Sequence, residues 1–171
     1  MSNYRVNFKR YLDDLKSPTP ALGGGSVVAL SFCLGISLLE KAINYSRAQQ
    51  PQLKTIQLKL QKLAVKVYPF IDRDGEIFEQ VINTKGEQRK SWLKLSEQLV
   101  VGLGDCCQVA YWLAKAARPK INKFLISDYK LGTQLIKLSF KGCIENLEAN
   151  AKFLGKKNCA INRFKQGIDK Y

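Results

Sequence analysis

Apolar residues recur along this chain every three or four positions and almost nowhere alternate with period two, so the pattern predicts helices and no strands. Tyr4, Phe8, Tyr11, Leu12 and Leu15 form one apolar stripe, with Asp13, Asp14 and Lys16 opposite. The amphipathic helix they predict ends before Pro18. From Ser26 to about Arg47 the chain is apolar nearly all round at first, through Val27, Val28, Leu30, Phe32, Leu34, Ile36 and Leu38. A helix with no polar face belongs at the centre of a bundle. Ser31 and Gly35, four apart, are small enough to let another helix come close. Glu40 and Lys41 interrupt the pattern and are expected near the emerging end of the helix or facing a polar cleft.

Pro51 opens the next helix, whose stripe is Leu53, Ile56, Leu60, Leu63, Val67, Ile71, Asp74, Phe78 and Val81. One member of that stripe is a carboxylate. Pro69 removes a backbone hydrogen bond and is expected to bend the axis just before Asp74. Lys54, Lys59, Lys62 and Lys66 lie off the stripe and read as a solvated face. After a loop around Asn83 to Glu87, the stripe Trp92, Leu95, Leu99, Leu103, Cys106, Ala110, Leu113 and Ala117 runs until Pro119 breaks it. Ser127 and Asp128 read as the cap of a last long helix, whose inner face carries Leu131, Leu135, Leu138, Gly142, Asn146, Ala149 and Phe153. The tail from about Gly155, with Lys156, Lys157, Arg163, Lys165 and Lys170, is basic and weakly periodic. The expected architecture is therefore one all-α domain over residues 1–171, an antiparallel bundle of about five main helices with the Ser26 helix central.

Between the first two helices lies Thr19-Pro20-Ala21-Leu22-Gly23-Gly24-Gly25-Ser26. Glycines lack a Cβ, so this backbone is free to take φ > 0, and a ligand can lie directly against its peptide N–H groups. Together with the unpaired donors of a helix N-terminus, such a turn suits an anion or a polarised carbonyl. A flexible linker is the plainer reading. Against it, Pro18 and Pro20 stiffen the approach, and Ser26 stands where an N-cap would precede the long apolar helix.

Composition narrows the chemistry. Hydrophobic residues make up 46% and charged residues 25%, as in folded globular chains. Lys and Arg number 28 against 14 Asp and Glu, and the net charge of +14 predicts attraction to nucleic acid, a membrane surface or a polyanionic small molecule. Five cysteines, Cys33, Cys106, Cys107, Cys143 and Cys159, contain no CxxC pair and read as reduced and mostly core. The charged start MSNYRVNFKRYLDD is unlike a signal peptide, and no run reaches ~18 uninterrupted apolar residues, so a cytoplasmic protein with no membrane partner is expected. With no histidine, Cys-His and Ser-His arrangements and His-ligated metals are excluded, and no metal is expected.

Several motifs stand in register: Tyr11-Leu12-Asp13, the glycine turn, Asp72-Arg73-Asp74-Gly75-Glu76-Ile77-Phe78, Asn122, Ser127-Asp128, Gly142, Asn146 and Asn150. Together they closely resemble the formimidoyltetrahydrofolate cyclodeaminase and methenyltetrahydrofolate cyclohydrolase family. That resemblance implies a helical homodimer acting on one-carbon units of tetrahydrofolate, with the folate derivative as substrate. It places the catalytic carboxylate on Asp74, the pocket-lining loop on Gly23, Gly24, Gly25 and Ser26, and further substrate-facing polar positions on Asp128, Asn146 and Asn150. The chain departs from the family pattern at Leu22, Glu40, Lys41 and Ala48.

Two readings of function follow. One is an enzyme that closes formimino-tetrahydrofolate to methenyl-tetrahydrofolate with loss of ammonia, or interconverts methenyl- and formyl-tetrahydrofolate with water. The other is a family member without turnover, binding an acidic partner or nucleic acid through its basic surface. A nucleic-acid binder interleaves aromatics with exposed cations, whereas Phe8, Phe32, Phe70, Phe78, Trp92, Trp112 and Phe153 are expected mostly on core stripes, which favours the folate reading and makes nucleic acid an unexpected partner. For Asp74 the plainer alternative is an ion pair with a neighbouring Lys or Arg, and for Asn146 and Asn150 it is interhelical hydrogen bonding.

Overall fold

Helix α2, Gly24–Ser46, is the axis on which the bundle is assembled. The structure, a computed structural model, describes residues 4–18, 22–155 and 159–168. Thr19, Pro20 and Ala21 of the glycine motif, and Lys156, Lys157 and Lys170 of the tail, lie outside the described residues. The other helices are α1, Tyr4–Lys16; α3, Leu53–Val67; α4, Phe70–Asn83; α5, Gly86–Ala117; α6, Ile126–Leu154; and α7, Cys159–Ile168, with two short 3-10 turns at Arg118–Lys120 and Lys123–Leu125. No strand occurs among the described residues.

α2 is long and apolar enough to cross a membrane. Here α3, α4, α5 and α6 pack against it, leaving one face with Val27 and Leu34 exposed. Phe32, Ile36, Leu39 and Ile43 are at most 1% exposed, and each contributes about 1.5–3 kcal/mol by leaving water. α2 and α6 run antiparallel and touch backbone to backbone. A Cβ placed on Gly35 would come 2.8 Å from the Gly132 carbonyl oxygen, and one on Gly132 would come equally close to that of Gly35, so both positions must be glycine.

Three expectations are corrected by the packing. First, Pro69 breaks the helix rather than bending it, separating α3 from α4, because proline offers no N–H to the preceding turn. Beyond the break Val81 is buried where the stripe put it, but Ile77, 4% exposed, takes the core position expected of Phe78, which is 49% exposed. Second, α6 begins at Ile126 after an N-cap, Leu125, that makes no side-chain cap bond, so Ser127 and Asp128 sit inside the first turn. The capping side chain nearby is Asn122, which accepts from the Phe124 N–H at 3.0 Å at the preceding short turn. Third, the expected inner face of α6 meets α2 only in part, through Leu135, Gly142 and Asn146. Leu131 and Leu138 are exposed, and the core side is Tyr129, Gly132, Ile136, Phe140, Cys143 and Leu147, set by the contact of Gly132 with α2.

Counting α3 and α4 as the one interrupted helix that the sequence suggested, the described residues hold six helices rather than five. The sixth is α7, drawn from the weakly periodic tail. Its Phe164 is fully buried, edge-on to Phe140 with ring centroids 5.1 Å apart. All five cysteines are free. Three of them are buried, and burial pushes the Cys33 thiol up to about 11, so these thiols behave as core hydrophobes.

Candidate active site

α4 lays its first turns across the N-terminus of α2, and this crossing makes the site. Asp74 Oδ2 accepts from the Ser26 backbone N–H at 3.2 Å. Ser26 is therefore not the N-cap: α2 starts two residues earlier, Gly23 is its side-chainless cap, and the capping carboxylate comes from α4. The Ser26 hydroxyl is fully buried and lies 3.0 Å from the Tyr11 hydroxyl, which ties α1 to the same turn.

The glycines serve approach rather than unusual backbone. Among the described residues only Gly86 and Gly155 have φ > 0, and Gly23 is extended. What they allow is contact with other helices. A Cβ on Gly25 would lie 2.5 Å from Asp74 Cγ, one on Gly24 would lie 3.4 Å from Asn146 Oδ1, and one on Gly23 would meet Asp74 Oδ2 at an ordinary 3.9 Å. Gly25 is thus the strict requirement. Among the described residues nothing accepts from the Gly24 and Gly25 N–H groups, so two helix-end donors remain beside the carboxylate.

Burial raises the Asp74 pKa above its ordinary 3.8, and the Ser26 N–H pulls it part of the way back. No Lys or Arg among the described residues forms an ion pair with it, so the plainer alternative of a paired carboxylate is not what the fold builds. A cleft of 440 Å³ opens over this point, within the ~300 to 1,000 Å³ usual for small-molecule sites. Its base is Gly23, Gly24, Gly25 and Asp74; Phe78, Val81, Leu93 and Phe153 give it apolar walls. Asn146, Asn150 and Ser96 supply polar groups, and Arg89 is the one cation among the described residues that line it.

Asn150 donates to Ser96 Oγ at 2.9 Å, an interhelical bond made at the edge of the cleft. Asn146 makes no hydrogen bond among the described residues. Its amide faces both this cleft and a second hollow of 570 Å³ on the other side of Gly23 and Gly24, between α1, α2 and α6. Asp128 is not brought to the cleft of its own chain. It pairs with Lys41 at 2.8 Å, about 25 Å along α2 from Gly24 at 1.5 Å rise per residue.

The sequence pattern did not reveal Ser96, Arg89 or the roles of Phe78 and Phe153 as walls. A serine or arginine on a long helix carries no local signal, and the two rings lay on stripes assigned to the core. Phe8, Phe78, Trp112 and Phe153 are 43%, 49%, 48% and 65% exposed, so the placement of aromatics does not argue against nucleic acid as the sequence pattern suggested.

Comparison with known proteins settles the class. The model of the formiminotransferase-cyclodeaminase family matches residues 7–166. A methenyltetrahydrofolate cyclohydrolase of Methylorubrum extorquens is 27% identical over 91% of this chain and 84% of its own length. The crystal structure of a formiminotetrahydrofolate cyclodeaminase from Thermotoga maritima superposes with a TM-score of 0.82 at 18% identity, covering 99% of this chain and 89% of that one. The chain belongs to the formiminotransferase-cyclodeaminase family, and its fold is that of the Thermotoga structure.

Proposed function

We propose that this protein is an enzyme acting on one-carbon derivatives of tetrahydrofolate in the cleft over α2, with Asp74 as the group that transfers the proton. The family match and the names of both relatives support the substrate class. The observation that carries the chemistry is the half-sequestered Asp74 carboxylate held against a glycine-built helix end. A carboxyl group with a raised pKa exchanges its proton nearer neutrality, which suits general acid and base work. In ring closure, the side-chain nitrogen of the folate attacks the formimino carbon and loses its proton. The departing nitrogen leaves as ammonia only after protonation, and Asp74 supplies that proton. The Gly24 and Gly25 N–H groups, without an acceptor among the described residues, and the Asn146 amide orient the pterin and its one-carbon unit.

Arg89 and the general positive charge hold the anionic glutamate end of the substrate at the cleft mouth. The working unit is a homodimer formed through the outer faces of α2 and α6. Val27, Leu34, Leu131 and Leu138 are all at least 36% exposed there, and Val27 and Leu138 border the second hollow, an apolar surface that a copy of the same chain would cover. Light scattering at micromolar concentration should give the mass of two chains, and a monomer would refute the dimer. For the activity, protein mixed with formimino- or methenyl-tetrahydrofolate should change the near-ultraviolet absorbance of the methenyl form, and no change with either would refute it.

A further inference from the structure

Behind the Asp74 carboxylate the cleft deepens into a recess of 20 Å³ enclosed by α2, α4, α5 and α6. A single water needs about 10–15 Å³ of such space and two to four polar partners. Most of the recess wall is hydrocarbon, from Val28, Phe70, Ile77, Leu99, Val100 and Leu103. Three polar side chains reach it: Asp74, Ser96 and Asn146. Ser96 Oγ already accepts from Asn150 at 2.9 Å, which leaves its O–H to donate. The Asn146 amide is unbonded among the described residues, and the Ser26 N–H engages only Asp74 Oδ2. A hydroxyl donor, an amide and a carboxylate oxygen around a space of this size match the bonding of one water molecule.

We propose that the recess binds one water between Ser96, Asn146 and Asp74, and that this water is the nucleophile that opens methenyl-tetrahydrofolate to the formyl form. The inference rests on the folate reading above and selects the hydrolytic reaction, since closure with loss of ammonia consumes no water. The methenyl carbon, bonded to two nitrogens and cationic, is the electrophile. As the water oxygen bonds to it, Asp74 takes one water proton. That proton passes to the ring nitrogen as its bond to the carbon breaks. The second proton is released as the formyl C=O forms and leaves through the same carboxylate, so one water is consumed and one proton appears in solution. Ser96 is a positioning residue in this scheme, acting through the water.

Two measurements test it. A crystal structure fine enough to show waters should place one in the recess within ~2.6–3.2 Å of Ser96 Oγ and an Asp74 oxygen, and a dry recess overturns the proposal. Ser96→Ala removes the donor, and Val100→Ile fills the space from an apolar wall. Each should lower kcat for methenyl hydrolysis by about tenfold or more with KM unchanged, whereas loss of a structural contact alone would move both. Wild-type kcat in both variants overturns it. A wild-type protein that releases ammonia from the formimino form but does not hydrolyse the methenyl form refutes this inference alone. Inactivity on both forms refutes the folate reading beneath it.

Discussion

Gly25 and Asp74 exclude one another's alternatives: a Cβ on residue 25 would stand 2.5 Å from the Asp74 Cγ, so the carboxylate occupies its place over α2 only while that residue is glycine. Gly25→Ala should therefore push the carboxylate aside. Misplacing a catalytic group by about 1 Å costs on the order of a hundredfold in rate. Turnover should fall by that factor with helix content by circular dichroism unchanged. Gly23→Ala, whose Cβ would meet only an ordinary 3.9 Å contact, should keep most of the activity. Equal losses in the two variants would contradict this geometry.

Asp74 should also mark the dependence of stability on pH. Its folded-state pKa is raised by burial, so the native protein holds this proton more tightly than the unfolded chain does. The resulting stabilisation is complete below the unfolded value of 3.8 and is lost as pH rises through the folded one. Asp74→Asn lacks this titration. Its melting temperature relative to wild type should rise between acid and neutral pH, measured by calorimetry across that range. A difference that stays flat or falls would show that the carboxylate is not desolvated.

Arg89 is predicted to contribute affinity rather than chemistry. Arg89→Ala should weaken folate binding by about tenfold, the scale of one charge-assisted contact, and kcat should change little. Binding to wild type should weaken with added salt, and more steeply for a polyglutamyl than for a monoglutamyl folate. Titration calorimetry at two salt concentrations reads both effects. Equal affinities in all conditions would separate the basic surface from the ligand.

Asp128 sits with Lys41 at the other end of α2 from the glycine turn. Asp128→Ala should leave folate affinity near wild type and cost little stability, as expected of a solvent-accessible ion pair. A large loss of affinity would mean that Asp128 completes a site from the neighbouring copy.

The helices were legible because their stripes are strong: α1, α2 and α5 fall where the periodicity put them, and Asp74 was conspicuous as the carboxylate on an apolar stripe. What escaped depends on how helices meet. Nothing local in the Leu131 to Phe153 pattern says which flank faces α2, and that choice is made by Gly132 against Gly35. The role of the triple glycine was likewise ambiguous between positive φ and close approach until α4 was seen to lie across it. Ser96 reaches the site only because α5 packs beside α4 and α6, where it lines the cleft and accepts from Asn150.

The central claim is that Asp74 moves the proton in a folate one-carbon reaction. The direct measurement follows the near-ultraviolet absorbance of methenyl-tetrahydrofolate with wild type and Asp74→Asn side by side, each supplied with formimino- and methenyl-tetrahydrofolate. Wild type should turn over at least one of the two. The asparagine variant, nearly isosteric and still able to accept from the Ser26 N–H, should bind folate normally and react about two to four orders of magnitude more slowly. Equal rates in the two proteins would remove Asp74 from the mechanism, and no reaction in either would contradict the assignment of function.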